Sequence, residues 1–315
     1  MRWTSPIRLV FLLPAVAWVL VFTIVPLAYS LYAAFHNVTN ETVVNRVEVP
    51  RLDKDGNPVL RPDGTPRMRT EVVRETVTKW EFVGLRNFAR IFGDRTVGEA
   101  LRVTAIFVGV GVSVQMALGL GLALLFNREM PGRSFLRTLM ILPIFATPVA
   151  AGYLFFTIFY EEGGPLGWTG IPWLSNPGWA LVSVIIVDVW QWTPFCFLVF
   201  LAALQGIPDE LLEAARLDTG SGWTMLKEVI LPLLLPTIVI VFLLRLAEAM
   251  KVFDVVASLT VGGPGNATQS LSYLAFRTGL RFFDVGYASA IAYTLLAFVM
   301  VVVTLFFKRV RTIYA

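Results

Sequence analysis

The sequence predicts an all-α integral membrane protein with six membrane-spanning helices and a small β-rich insert, on three observations. Hydrophobic residues make up 56% of the chain and charged ones only 15%, with a mean hydropathy of +0.70, too apolar for a water-soluble domain. Six runs reach the roughly 20 apolar residues that a helix needs to cross a bilayer. Lys and Arg gather in the short segments on one side of those runs.

Span 1, Leu9 to Phe35, follows Arg2 and Arg8. Its apolar run far exceeds the roughly 7 to 15 residues of a secretory signal core, so it reads as a retained helix. Residues 1–35 form the first segment and 36–100 the next, a polar loop. Within that loop Val47, Val49 and Leu52, Val59 and Leu60, and Val72, Val73 and Val77 are separated by Asp55-Gly56 and Asp63-Gly64, both tight-turn signals. The pattern predicts an exterior β-hairpin or meander over residues 40–80, either a contact for an exterior partner or a solvated cap.

The core, residues 101–315, holds the other spans: Leu101 to Phe126, Leu136 to Phe159, Ala180 to Leu204, Val229 to Met250 and Tyr287 to Phe307. Arg128, Arg133 and Arg137 lie between spans 2 and 3, and Lys308, Arg309 and Arg311 follow span 6. The loop Tyr160 to Gly178 has Glu161 and Glu162 but no Lys or Arg. The positive-inside rule therefore places both termini and the segment between spans 4 and 5 in the cytoplasm. Pro14, Pro26, Pro143, Pro148, Pro194, Pro232 and Pro236 lie in or beside spans, as broken helices around a path or as ordinary kinks.

Residues 205–228 include Asp209, Glu210, Glu213, Arg216, Asp218, Lys227 and Glu228. Each charge would cost about 2.5–3.5 kcal/mol at the bilayer centre, so the segment lies in water. Pro208, Asp209 and Glu210 start a helix, with acids where the helix dipole favours them. Leu211, Leu212, Ala215 and Leu217 supply an apolar face, Glu213 and Arg216 a polar one, and Ala214 and Ala215 allow another protein to approach closely.

The string EAARLDTGSGWTMLKEVILPLLLP resembles the coupling loop of ABC importer permeases. FLLPAVAWVLVFTIVPLAYSLYAAF, FVGLRNFARIF, WQWTPFCFLVFLAALQGIPDELLEAARLD, FDVVASLTVGGPGNATQSLSYLAF and DVGYASAIAY extend the likeness to the maltose-type, carbohydrate-uptake branch and its first permease subunit. The resemblance implies that Glu213, Ala214, Ala215, Asp218 and Gly220 dock a cytoplasmic ATPase. Thr219 stands where the family usually has Gly, with Gly220 one residue later. It also implies two ATPase subunits, a second homologous permease, an exterior solute-binding protein and a bacterial or archaeal cytoplasmic membrane.

None of the five lysines follows a glycine, so the chain has no G-x-x-x-x-G-K-[ST] phosphate loop. ATP and Mg are expected on the partner ATPase, with no cofactor in this chain. The sole Cys196 and sole His36 offer no disulfide, no thiolate cluster and no HExxH pattern, which argues against an enzyme. Nothing in the charge of +4 calls for nucleic acid.

Asp188, Gln191, Trp192 and Phe195 recur at i, i+3, i+4 and i+7 and share one face of span 4. Carboxylate, amide and aromatic groups together suit a sugar: rings cover its apolar face and polar groups bond its hydroxyls. In the resembling family the matching positions line the sugar site. Arg245 in span 5 either faces the path with Asp188 or Glu248 as counter-charge, or forms a structural pair with Glu248. Taken alone, a membrane-embedded Arg245 favours an anionic or strongly hydrogen-bonding solute. The sequence thus predicts half of the pathway of an ATP-driven, binding-protein-dependent importer for a sugar (di- or oligosaccharide) or sugar-like solute. The competing class is a stand-alone secondary transporter, against which stand the lack of an evident inverted repeat and of a chain of intramembrane acids.

Overall fold

The computed structural model describes residues 5–51, 58, 61–218 and 221–314. The Asp55-Gly56 turn and the pair Thr219 and Gly220 lie outside the described residues. The chain divides into two compact units, Met1–Phe88 with Thr278–Ala290 and Ala89–Arg277 with Ile291–Ala315.

In the first unit α1 (Ser5–Val19) passes through a π-helical turn (Leu20–Ile24) into α2 (Val25–Ala34). The wide turn lies just before Pro26, which has no N–H to donate to the carbonyl four residues earlier. Then β1 (His36–Pro50) and β2 (Met68–Phe82), rich in Val and Thr, pair antiparallel without interruption from His36↔Phe82 to Pro50↔Met68. The expected insert is thus a single long hairpin. Beyond the strands, Asp63 Oδ1 accepts from Thr65 Oγ1 at 2.6 Å and Thr65 N at 2.9 Å, with Gly64 at φ +83°. At the hairpin base Asn87 Nδ2 donates to the carbonyls of Ala34 and His36, both at 3.0 Å. Gly286 lies where a Cβ would collide with the His36 carbonyl and crowd the Asn87 amide, which accounts for the glycine in DVGYA.

After α3 (Arg86–Gly93), α4 (Arg95–Phe126) starts at Asp94, whose carboxylate accepts from Thr96 N at 2.8 Å. The expected third span is two helices, not one. α5 (Arg133–Ile141) ends in a 3-10 turn (Leu142–Phe145), and α6 (Pro148–Phe159) leaves it at 102°. Pro148 disfavours the helical region at Thr147, which is extended at ψ 145°, and Ala146 before it is extended at ψ 134°. Thr147 then caps α6 through Ala150 N at 3.3 Å.

Glu161 organises the loop that follows: its Oε1 accepts from Leu174 N and Ser175 N, both at 2.8 Å. Those two bonds, Leu174 first, hold the carboxyl below the ordinary glutamate range. Asn176 caps α7 (Pro177–Gln205), with Pro177 at its first position. Next come α8 (Asp209–Asp218) and α9 (Gly222–Met225), the latter continuing through a π turn (Leu226–Ile230) into α10 (Leu231–Ala249). The fifth span therefore begins as helix at Gly222, earlier than the apolar run suggests. α11 (Leu271–Phe276) and α12 (Val285–Tyr314) complete the chain. Among the described residues five helices are long and apolar enough to cross a membrane, and six spans result if the bent pair counts as one.

The core of the second unit is the packing of α4 on α7. A Cβ on Gly119 would sit 2.5 Å from that of Cys196, so the two backbones meet at a position only glycine allows. One apolar cluster forms around Phe107, Phe159, Val184 and Tyr273, another around Phe126, Phe197, Phe200 and Leu234.

Candidate functional site

A buried polar cluster joins α4, α7 and α10. Arg245 is 2% exposed and Asp188 4% exposed. Arg245 Nη2 lies 3.3 Å from Asp188 Oδ2, and its Nε donates to Gln115 Oε1 at 2.9 Å. Gln115 Nε2 closes the triangle by donating to Asp188 Oδ2 at 2.6 Å. The Arg245 guanidinium also lies over the Trp192 ring, 4.5 Å from its centroid. Each buried charge has a partner and each partner a hydrogen bond, the condition under which such a pair is tolerated in a membrane interior.

Asp188, Trp192 and Arg245 line a cavity of about 180 Å³ together with Glu248, Lys251 and Asp254. Three of the five residues expected along the path therefore converge. The other two share the helical face but do not line this cavity. Gln191, 2% exposed, donates to the Ala146 carbonyl at 2.7 Å, satisfying a backbone group freed where α5 and α6 part. Phe195 packs into the second apolar cluster. Asp188 is the counter-charge of Arg245, whereas Glu248 pairs with Lys251 at 3.0 Å on an exposed surface. Gln115 escaped the sequence reading, although it is the sole amide in its span.

The segment expected to dock a partner is helical as read. Asp209 and Glu210 occupy the first turn of α8 and Arg216 the last, each matching the helix dipole. Glu213 and Ala214 are exposed, whereas Ala215 is 7% exposed and faces inward. The expected apolar face divides: Leu212 is half-buried, but Leu211 is 49% and Leu217 89% exposed. Asp218 ends the helix, and Gly220 lies outside the described residues.

Residues 115–313 match the family model described as "Binding-protein-dependent transport system inner membrane component". A probable ABC transporter permease protein, y4oQ, of Sinorhizobium fredii is 36% identical over 93% of this chain and 86% of its own length. The trehalose/maltose transport system permease protein MalF of Thermococcus litoralis is 37% identical over 70% of this chain and 76% of its own. Among solved structures, a bacterial ABC transporter involved in import of the acidic polysaccharide alginate has a chain sharing the fold. Its TM-score is 0.76 at 22% identity, covering 98% of this chain and 96% of that one. The helices, their bent third member and these likenesses lead to one statement: this chain belongs to the family of binding-protein-dependent transport system inner membrane components, multi-pass permease subunits of ABC importers.

Proposed function

We propose that the chain forms half of the membrane pathway of an ATP-driven importer for a sugar or sugar-like solute, with both termini in the cytoplasm. The observation that carries the reading is the cavity whose wall combines Trp192 with Asp188 and Arg245, an aromatic face beside hydrogen-bonding groups. The trehalose/maltose relative supports the solute class. A second permease would complete the path, since about 180 Å³ is below the roughly 300–1,000 Å³ of ordinary ligand sites.

Two cytoplasmic ATPase subunits would bind ATP and Mg, this chain holding no cofactor of its own and catalysing no reaction. Closure of those subunits would pull on α8, and differential binding between closed and open states would shift the permease toward its outward-open form. Glu213, Ala214, Ala215, Asp218 and Gly220 would make that contact, with Leu211 and Leu217 as exposed apolar anchors. An exterior solute-binding protein would deliver the solute.

The test is purification of the chain, tagged at Ala315, from native membranes in mild detergent. The expected result is co-recovery of a second permease, an ATPase and a solute-binding protein. Ala214→Trp, at an exposed position where substitutions usually change stability by within about 0.5 kcal/mol, should keep the second permease and lose the ATPase. Recovery of the chain alone would contradict the reading.

A further inference from the structure

The charges around the cavity point to a narrower substrate class than the family reading. Its wall has three carboxylates, Asp188, Glu248 and Asp254, against two cations, Arg245 and Lys251. Both cations are already paired with carboxylates of the same wall. Two of the three Arg245 guanidinium nitrogens are engaged, by Gln115 at 2.9 Å and Asp188 at 3.3 Å, and one ring face of Trp192 lies beneath that group. Lys251 is paired with Glu248 at 3.0 Å. The half-buried Asp254 has no ion pair among the described residues and leaves the wall with one negative charge in excess.

Resting on the importer reading, we propose that this cavity selects a neutral polyhydroxylated solute and rejects sugars carrying a carboxylate, phosphate or sulfonate. Hydroxyl groups can donate to the carboxylate of Asp254, and a carboxylate acceptor has no use for a second anion. An anionic solute would meet an uncompensated like charge. Arg245, which as an isolated residue favours an anion, acts instead as an internal counter-ion that fixes Asp188 and covers Trp192. The same geometry leaves the remaining Trp192 surface that lines the cavity as the apolar platform for a pyranose.

The experiment uses the purified assembly of permeases and ATPases without the exterior binding protein, so that selection by that protein does not enter. Maltose and trehalose serve as neutral probes and maltobionate as an anionic probe of matched size, each measured by equilibrium dialysis. At least one neutral disaccharide should bind about tenfold or more tightly than maltobionate. Asp254→Asn, which breaks no ion pair, should narrow that ratio, and Asp188→Asn should narrow it further by freeing the guanidinium. Equal or tighter binding of maltobionate by the unaltered assembly overturns the proposal, as does a fall in affinity for all three probes by the same factor in both variants. Binding of no probe by an assembly that hydrolyses ATP overturns the cavity as the solute site and leaves the importer reading standing. Failure of the chain to assemble with any ATPase overturns the importer reading itself, and this one with it.

Discussion

Removing either member of the Asp188 and Arg245 pair leaves a charge without its counter-ion in a site where neither residue is more than 4% exposed. Such a deletion costs about 3–5 kcal/mol, whereas replacing both members together often costs far less. Asp188→Asn and Arg245→Gln are each expected to lower the thermal stability of the purified assembly, and the double variant to be more stable than the sum of the two losses. Strict additivity in that cycle would show that the pair contributes no coupling. Asp188, Trp192 and Arg245 were legible in the sequence because a charge or a ring at helical spacing inside an apolar run demands a partner. Gln115 was not, because one amide in a span of 32 helical residues acquires meaning only when the helix facing it is known. Gln191 shares the helical face of Asp188, yet it bonds a carbonyl released 45 residues earlier, a link that no local spacing encodes.

Length and hydropathy made the spans legible, and local chemistry then altered two of them. Pro143 and Pro148 signalled a disturbance in the third span, but the 102° turn arises from the extended residues Ala146 and Thr147 and from the cap on α6. The fifth span grew because Gly222 to Ile230 are helical although several of them are polar. Spaced Val residues and the Asp63-Gly64 turn announced the hairpin, while its uninterrupted register depends on cross-strand pairing invisible in one strand alone. The loop from Tyr160 to Asn176 makes a pH prediction. The carboxylate of Glu161 is favoured in the folded loop, so its contribution is complete above the ordinary glutamate value near 4.3 and is lost as pH falls through the lowered folded value. Hydrogen exchange at the amides of Leu174 and Ser175 should accelerate across that acidic window, relative to the intrinsic rate, and Glu161→Gln should remove the dependence. Unchanged protection in the acid form would show that other contacts hold the loop closed.

At the scale of the whole molecule, the family was legible from strings spread through most of the chain, since α8 and the motifs on α3 and α12 carry side chains with identifiable jobs. On the proposed function, the exposed Leu211, Glu213 and Leu217 are the surface that meets an ATPase subunit, and ATP is bound by that partner. The most direct test is solute uptake into proteoliposomes containing the co-purified assembly, with ATP enclosed and the solute-binding protein and radiolabelled trehalose or maltose outside. Accumulation of a sugar that requires enclosed ATP, and that disappears when the ATPase subunits are omitted, is the predicted result. A sugar flux of the same size from this chain alone, with no ATP present, would contradict the account and identify the chain as a stand-alone transporter.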